Sequence, residues 1–322
     1  LKTERRNRMT VNEKMNSSQY PYEACLIPAL DEKLQRQIRD ISNYVVLPLD
    51  MIMAATSLII NTVICMTVIG TRSLRHPSLL LLCSLAVTDL LWALATLIYY
   101  TFVLRDPYMC PENGEEVVLV GNFFFLATLS NLTTISRDRY LAISKPLWYR
   151  AYSNTSRVVK VIIFNWLLSA LMPVLLYWFK LKNMSLVIYF EGAFYLLFTV
   201  LVLAIVYNYV GSLLVSRRYA RNIQMSIGQI GTVVNREKKI TRMISVIILC
   251  FFFSFLPGFL TPSLLIALEM LSEGLVSFSG LLFTLNGLLN PLINFAGNKD
   301  IRRAIRFKFM CRRQRVHPST QG

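Results

Sequence analysis

Polar side chains interrupt several long apolar stretches of the sequence. Asp89 lies in the run LLLLCSLAVTDLLWAL, and no further charge follows it until Arg105. A charge at the centre of a bilayer costs about 2.5 to 3.5 kcal/mol, so such residues usually face a bundle interior and have a function. Neutral polar side chains at a similar depth are Asn61, Thr128, Asn131, Asn286 and Asn290. The set predicts either a site for a desolvated cation or a water cluster, because hard cations take oxygen ligands, or a structural hydrogen-bond network between helices.

A cluster of charges ends another apolar stretch. The segment TTISRDRYLAISKP, residues 133–146, passes from small and apolar residues into Arg137, Asp138, Arg139 and Tyr140. Charges at the end of a buried helix are costly to remove from water. Their presence there indicates a functional role.

The composition indicates that these residues belong to a membrane protein. The chain has 322 residues, of which 54% are hydrophobic and 16% charged, whereas soluble domains have roughly 25% charged residues. A helix of about 20 apolar residues crosses a hydrocarbon core of about 30 Å. Seven windows have this character, approximately 45–70, 79–103, 116–136, 161–178, 187–214, 243–268 and 275–296. We therefore predict an all-α membrane protein built as a seven-transmembrane helix bundle.

The net charge of +16 is unevenly distributed among the predicted connectors. The connectors after the first, third and fifth spans and the C-terminal tail contain 2, 6, 7 and 8 Lys or Arg residues, and the other three contain 1, 2 and 0. Because cytoplasmic loops carry the basic excess, this pattern predicts a multi-pass plasma-membrane protein with its N-terminus outside, and it argues against a nucleic-acid partner. The predicted divisions are an extracellular segment 1–44, a transmembrane domain 45–297, and a cytoplasmic helix and tail 298–322. The first span would act as a signal anchor.

Cysteines and Asn-X-Ser sequons outside the spans are candidate modification sites. Cys25 and Cys110 lie on the predicted outer side, where disulfides persist, and their pairing is a hypothesis that would join the N-terminal segment to the top of the third span. Asn16 and Asn183 are glycosylation candidates on the same side. Cys311, among the basic residues of the tail, is a candidate for palmitoylation.

Six motifs, in order along the spans, closely resemble those of the rhodopsin-like G-protein-coupled receptors. They are Asn61 in LIINTVIC, Asp89 in LAVTDL, the segment RDRYLAISKPL, Trp166, FFFSFLPGF and LLNPLIN. The resemblance covers residues 45–310, and there is a weak similarity to the melanocortin and lysophospholipid branch. It implies a receptor, not an enzyme, with an extracellular ligand, a heterotrimeric G protein as partner, and no cofactor other than an allosteric sodium ion.

The resemblance also implies a role for each matched residue. Arg139 of the Asp138-Arg139-Tyr140 motif would be the switch, held at rest by Asp138 and Glu237. Activation would move the sixth span outward about Pro257. The residues implied in the switch and in G-protein coupling are Asp138, Arg139, Tyr140, Leu147, Tyr207, Glu237, Phe251, Phe255, Pro257, Asn290, Pro291 and Asn294, and those implied in sodium binding are Asp89, Thr128, Asn286 and Asn290.

The sequence departs from the family pattern at several positions. Asn294 stands where the family has Tyr, and Phe255 stands where it usually has Trp. Gly114 replaces the cysteine of the usual disulfide, and Thr199 replaces a proline of the fifth span. The first two departures motivate an alternative function, a receptor-like protein that no longer signals and acts as a binding or dimerisation partner. A transporter would show repeated halves and a metalloenzyme a cluster of ligands, and the sequence has neither pattern.

The segment after the seventh span predicts a short amphipathic eighth helix. In KDIRRAIRFKF the apolar residues fall on one helical face and the arginines on the other. This arrangement is typical of a helix that lies on an anionic cytoplasmic leaflet, and a disordered basic tail is the alternative. The apolar face comprises Ile301, Ala304, Ile305 and Phe309, and the basic face comprises Arg302, Arg303 and Arg306.

The outer half of the predicted bundle contains acidic and aromatic side chains. Gly121 replaces the aspartate of amine receptors, and Thr284 stands where an opsin has its Schiff-base lysine. The resemblance therefore argues against a biogenic amine and against retinal. Candidate ligand-binding residues are Asp50, Tyr99, Tyr100, Glu116, Asn122 and Glu191. These acids favour a basic peptide or a small polar molecule, although Glu191 could instead pair with a neighbouring helix.

Overall fold

Helices make up all the regular structure in the part of the chain that the structure describes. The computed structural model describes residues 31–105, 114–182, 185–223, 246, 251–258, 260, 273–297 and 301–306. The α-helices are Glu32–Ile41, Leu47–Gly70, Pro77–Arg105, Gly114–Ser144, Pro146–Tyr152, Thr155–Leu181, Val187–Ile223 and Glu273–Gly297. Ser42–Val46 and Phe251–Phe255 form π-helical turns, Arg72–Leu74 forms a 3₁₀ turn, and residues 301–306 are helical.

Five of the described helices are long and apolar enough to cross a membrane. They correspond to the first five spans predicted from the sequence and run over Arg36–Gly70, Pro77–Phe102, Leu119–Ser144, Thr155–Leu181 and Val187–Arg218. The helix Glu273–Gly297 occupies the place of the seventh span, and its apolar part is Ser277–Ile293. The sixth span is described only at residues 246, 251–258 and 260. Helix is the expected element here because lipid offers no hydrogen-bond partner to a backbone that leaves its N–H and C=O groups unpaired.

Local sequence explains where several helices begin. Pro77 and Pro146 are each the first residue of a helix, where the missing N–H would have no helical partner and the fixed φ suits the helix. Asn154 precedes the fourth span, and its side chain accepts a hydrogen bond from the Ser156 amide at 3.1 Å, as an N-cap residue does. The fourth and fifth spans are joined by only five residues, 182–186.

The third span lies at the centre of the core. It packs against the second, fourth and fifth spans, and the largest cluster of buried apolar side chains forms around it. Members of this cluster from three spans are Leu81, Leu82, Leu85, Phe125, Leu126, Leu129, Leu132, Ile135, Phe194 and Ile205. A second, smaller cluster joins the first span to the second and contains Ile64, Cys65, Val68, Cys83 and Ala86.

Large apolar side chains are exposed along the outer faces of the spans. Phe164 and Leu167 on the fourth span and Leu196 and Leu203 on the fifth are all more than half exposed. A soluble protein rarely exposes contiguous apolar surface on this scale, whereas a helix surrounded by lipid does so without cost. The chain is therefore a multi-pass membrane protein.

Two glycines allow helices to approach closely. A Cβ added at Gly211 on the fifth span would lie 2.7 Å from Cε2 of Tyr140 on the third. A Cβ at Gly258 would lie 3.2 Å from both the Leu282 Cβ and the Ser279 carbonyl oxygen of the seventh span. Ordinary carbon contacts are about 3.5 to 4.0 Å. A larger residue at Gly211 would therefore require the Tyr140 ring to move, and one at Gly258 would require a small shift of the seventh span.

Candidate functional site

The inner end of the third span carries an ion pair between consecutive residues. Arg139 Nη2 lies 3.0 Å from Asp138 Oδ2, and only 13% of the arginine side chain and 9% of the aspartate side chain are exposed. Arg137, two positions earlier, is exposed. The structure thus brings together two of the residues implied in the switch and distinguishes Arg139 from its neighbouring arginine.

Two further side chains hold the same carboxylate. Ser78, near the start of the second span, donates to Asp138 Oδ2 at 2.9 Å. Tyr149, in the loop helix Pro146–Tyr152, donates to Asp138 Oδ1 at 2.8 Å, and the Ser78 and Tyr149 hydroxyl oxygens are 3.0 Å apart. Burial, together with the nearby charge of Asp138, raises the pKa of the Tyr149 phenol, so this hydroxyl stays protonated and able to donate. Asp138 therefore connects the second span, the third span and the loop helix.

Sequence reasoning missed both of these partners. Ser78 and Tyr149 lie 60 and 11 residues from Asp138 along the chain, and neither stands out by residue type. The signal that could have found Tyr149 is its position in a short connector beside the charge cluster. No comparable signal identifies Ser78.

Three other residues that the resemblance implies in coupling, Tyr140, Leu147 and Tyr207, lie toward the same end of the bundle. Tyr140 packs edge-on against Tyr207 of the fifth span, with ring centroids 6.0 Å apart. Leu147 is 82% exposed at the start of the loop helix, next to Trp148, whose ring stacks on Tyr152 at 4.3 Å. Arg157 lies over the Tyr152 ring at 4.4 Å. The loop helix thus presents an apolar and aromatic surface outside the bundle.

Asp89 lies in the middle of the bundle between the second and seventh spans. Its Oδ2 accepts a hydrogen bond from Asn290 Nδ2 at 3.0 Å. Two small cavities of about 10 Å³ adjoin it, each with room for about one water molecule. One of the two is lined by Asp89, Trp92, Gly121, Phe124, Phe125, Thr128, Phe283 and Asn286.

The residues around Asp89 suit a hard cation. Asp89 supplies a carboxylate, and Thr128 lies on the same cavity wall. Asn286 Oδ1 is buried and has no hydrogen-bond partner within the described part of the chain. Hard cations take oxygen ligands such as these. Asp89, Thr128 and Asn286, three of the four residues that the resemblance implies for sodium, therefore line one cavity. The fourth, Asn290, lines the second cavity and donates to Asp89.

A backbone carbonyl connects the first span to this region. Ser57 and the Asn61 amide both donate to the Gly287 carbonyl oxygen at 3.2 Å. A Cβ at Gly287 would lie 3.5 Å from the Asp89 Cβ, an ordinary van der Waals distance, so the seventh-span backbone lies beside Asp89. Asn61 thus supports the Asp89 site through the seventh-span backbone.

Asn131 belongs to a separate network on the other side of the second span. Ser84 donates to Asn131 Oδ1 at 2.9 Å, and Asn131 Nδ2 donates to Thr88 at 3.2 Å. Trp166 of the fourth span donates to Ser84 at 3.1 Å. This network joins the second, third and fourth spans, so Asn131 takes part in a hydrogen-bond network between helices.

The acids of the outer half have protein partners. Asp50 is completely buried and accepts from the Tyr100 hydroxyl at 2.7 Å. Glu191 lies 3.2 Å from Lys180 of the fourth span, with both side chains partly exposed, and Phe190 beside it stacks on Phe179 at 4.2 Å. Glu191 therefore pairs with a neighbouring helix. Tyr99 and Asn122 are half-buried.

Other predicted site residues cannot be placed in this way. Glu237, the Cys25 and Cys110 pair, the sequons at Asn16 and Asn183, and Cys311 lie outside the described residues. The structure describes the backbone but not the side chains of Glu116, Phe251, Phe255 and Asn294. Pro291 is buried within the seventh span, and Pro257 is exposed on the sixth. Ile301 is buried and lines the second cavity beside Asp89, together with Pro291.

Comparison with known proteins identifies the family of this bundle. Residues 60–294 match the model of the 7 transmembrane receptor (rhodopsin family). The chain is 31% identical over 117 residues to the human D(4) dopamine receptor, covering 34% of this chain and 27% of that receptor. It is 27% identical over 132 residues to human melanopsin, covering 40% and 28% of the two chains. It is 26% identical over 251 residues to mouse trace amine-associated receptor 7a, covering 65% and 69%.

The chain matches only part of the length of these relatives. The aligned part spans only about a quarter to a third of the length of the first two relatives, whereas the family model covers most of the present chain. Members of this family are receptors and not enzymes. The chain belongs to the rhodopsin family of seven-transmembrane receptors.

Proposed function

We propose that this protein is a G-protein-coupled receptor of the plasma membrane that binds an extracellular ligand and activates heterotrimeric G proteins. In this proposal the chain crosses the membrane seven times with its N-terminus outside, and an eighth helix that includes residues 301–306 lies along the inner leaflet. Family membership supports the receptor role. The observation that supports coupling most directly is the partly buried ion pair of Arg139 with Asp138 at the inner end of the third span.

In the resting receptor Asp138 neutralises Arg139. Asp138 accepts from Ser78 and Tyr149 as well, so the carboxylate is fixed in position before it pairs with the arginine. The attraction within a partly buried ion pair is nearly offset by the cost of taking both charges out of water. A modest change elsewhere in the bundle can therefore release the guanidinium.

Release of Arg139 would accompany an outward movement of the sixth span about Pro257. Glu237 would form a second clamp on Arg139 at rest, and Tyr207 would approach Arg139 in the active state. Tyr207 already lies against Tyr140, so a small rotation of the third or fifth span would bring it to the arginine. Phe251 and Phe255 would change their packing as the span moves.

The loop helix would supply part of the G-protein contact. Leu147 is 82% exposed and has Trp148 and Tyr152 as neighbours on the same short helix. An apolar side chain so placed gains about 1.5 to 3 kcal/mol when it is fully buried against a partner. Because Tyr149 of the same helix holds Asp138, docking at Leu147 would be coupled to the state of the ion pair.

The ligand in this proposal is a basic peptide or a small polar molecule. Tyr99, Asn122 and Glu116 are its proposed contacts in the outer half. Glu191 pairs with Lys180, and it could contribute by leaving this ion pair and pairing with a cationic group of the ligand. A sodium ion at Asp89, Thr128, Asn286 and Asn290 would favour the resting state, since a ligand shifts an equilibrium only by binding one state better.

The test is a G-protein activation assay in cells that express the full chain. Arg139→Ala should abolish activation by peptide, nucleoside, lipid and amine libraries, while surface expression is retained. Arg137→Ala is the matched control, because Arg137 is exposed two positions away, and it should leave activation intact. Equal effects of the two substitutions would remove Arg139 from the mechanism. Glu237→Ala should raise ligand-independent activation, and an unchanged basal level would remove the second clamp.

A further inference from the structure

A carboxylate without a cationic partner lies in the outer half of the bundle. Asp50 of the first span is completely buried. Its Oδ2 accepts from Tyr100 of the second span at 2.7 Å. A Cβ at Gly280 of the seventh span would lie 3.6 Å from that oxygen and 3.8 Å from the Tyr100 hydroxyl. Three spans therefore meet at one carboxyl group.

The hydrogen atoms around this group can be counted. Tyr100 uses its single hydroxyl hydrogen on Asp50 Oδ2. Thr284 hydrogen-bonds to Asp50, its hydroxyl also reaches the Gly280 carbonyl at 3.1 Å, and its oxygen accepts from Trp92 Nε1 at 3.2 Å. A hydroxyl group has one hydrogen atom, which cannot serve both Asp50 and Gly280. Asp50 Oδ1 receives no hydrogen bond within the part of the chain that the structure describes. With the Thr284 hydrogen on the Gly280 carbonyl, the contact between Asp50 and Thr284 lacks a hydrogen atom.

Among the described residues, Asp50 has no ion-pair partner that would balance an ionised carboxylate. The titratable groups beside it in that part of the chain are Tyr100 and, next to Tyr100, Tyr99, both on the second span. On the seventh span, residues 277–293 include no ionisable side chain. Moving an isolated ionised carboxylate from water into the protein interior costs far more free energy than moving a neutral group that is hydrogen-bonded there. One proton placed on Asp50 Oδ1 removes the charge and supplies the missing hydrogen.

We infer that Asp50 is a proton-binding site, a neutral carboxylic acid that accepts from Tyr100 through Oδ2 and donates to Thr284 through Oδ1. The proton completes a hydrogen-bonded chain from Tyr100 through Asp50 and Thr284 to Trp92, across the first, second and seventh spans. Trp92 packs edge-on against Phe124 and Phe283 and lines the cavity beside Asp89. Loss of the proton would break this chain one step away from that cavity.

The direction of the pH effect follows from the proton count. The folded protein holds a proton on Asp50 that the unfolded chain releases at neutral pH, where an ordinary aspartate is ionised. Stability is therefore fully present at acid pH and declines as the pH rises. This pH effect concerns the folding stability of the helix bundle, so it can be measured in the absence of a G protein.

The test measures the thermal midpoint of the purified full chain in detergent from acid to alkaline pH. In Asp50→Asn the carboxamide keeps both hydrogen bonds, because its oxygen accepts from Tyr100 and its nitrogen donates to Thr284. At acid pH the thermal midpoint of this variant should equal that of the wild type. As the pH rises, the midpoint of the wild type should fall and that of the variant should not. Asp50→Ala should be less stable at every pH, because it removes both bonds.

Asp40→Asn provides the matched control. Asp40 is exposed on the helix Glu32–Ile41, so its amide variant should keep the wild-type pH profile. If Asp50→Asn is as unstable as Asp50→Ala at all pH values, the native group is an ionised carboxylate that holds a cation, and the inference is wrong. Thr284→Val provides a second test that does not depend on the folding of the Asp50 variants. It removes the acceptor of the Asp50 proton, so it should lower the thermal midpoint more at acid pH than at alkaline pH. Equal losses at both pH values would also overturn it.

Discussion

At the scale of single residues, Asp138 is the most heavily bonded group on the inner side. Its two oxygens accept hydrogen bonds from Ser78 and Tyr149 and form an ion pair with Arg139, at distances of 2.8 to 3.0 Å. A carboxylate that accepts from several donors can lose one of these hydrogen bonds and still be held in position by the others. The strength of the hold on Arg139 can therefore be adjusted by substitution at either neutral donor.

Tyr149→Phe should raise ligand-independent G-protein activation. The change removes one hydrogen bond to a charged group, of the kind that contributes about 1.5 to 3 kcal/mol, and part of that loss will appear in the resting state alone. We expect a rise of roughly 3- to 10-fold, because about 1.4 kcal/mol corresponds to tenfold in an equilibrium constant. The measurement is basal nucleotide exchange at equal surface expression.

Tyr152→Phe is the control for that experiment. Tyr152 lies on the same loop helix, is half exposed, and contributes its ring to Trp148 and Arg157, so loss of its hydroxyl should leave basal activation unchanged. A basal level in Tyr149→Phe no higher than in this control would show that the hydroxyl does not restrain the switch.

At the residue scale, the sequence suggested groupings from depth in the bilayer and from the family resemblance. The resemblance implied that Asp138 holds Arg139, and depth grouped Asp89 with Asn61, Thr128, Asn131, Asn286 and Asn290, of which Asn131 lies in a separate network. The Ser78 bond, 60 residues away, depends on how two spans are packed. The pairing of Glu191 with Lys180 depends on the register of the fourth and fifth spans, which hydropathy does not determine.

At the scale of elements, Gly211 lies at a tight contact between the third and fifth spans. A Cβ there would lie 2.7 Å from Cε2 of the Tyr140 ring, and Tyr207 packs on the same ring. Tyr140 directly follows Arg139 of the ion pair. Substitution at Gly211 therefore acts on the packing of the two helices and not on any charge.

Gly211→Ala should lower the thermal midpoint of the purified protein. Overpacking a close contact costs about 1 to 3 kcal/mol, and the loss should disappear in the Tyr140→Ala background, where the ring is absent. Gly192→Ala is the matched control on the same helix, because a Cβ there meets nothing within 4 Å. A loss in Gly211→Ala that persists without the Tyr140 ring would show that this contact is not its cause.

The positions of the helices could be predicted from sequence better than their ends. The first helical stretch begins at Glu32, whereas the first apolar window begins at 45. The helix of the fifth span continues to Ile223, whereas the fifth window ends at 214. The extra segments, EKLQRQIRDI and the run containing Arg217 and Arg218, are polar. Apolar windows detect the part of a helix that lies in lipid, and they cannot detect its continuation into water.

At the scale of the whole molecule, the seventh span combines several roles. It donates through Asn290 to Asp89, accepts through Gly287 from the first span, and contacts the sixth span at Gly258. Any ligand of the Asp89 site that prefers one arrangement of these helices therefore biases the entire bundle. The size of that bias equals the difference in the affinity of the ligand for the two arrangements.

Sodium should stabilise the wild type more than Asp89→Asn. The thermal midpoint of the purified chain in sodium chloride should exceed that in choline chloride, because a ligand of the folded state stabilises it by about 1.4 kcal/mol at roughly ten times its Kd. Asp89→Asn removes the one charged ligand and should abolish the difference. Asp50→Asn, at the other buried acid, should retain it. A sodium effect of equal size in all three proteins would place the ion elsewhere or nowhere.

The five residues between the fourth and fifth spans have a consequence for access from outside. A chain of that length extends over at most about 17 Å, and here it joins two helix ends that are already held together by Lys180 and Glu191. In the proposed receptor, so short a connector would have little chain to place over the outer opening of the bundle, and the other outer segments would therefore control the entry of a ligand.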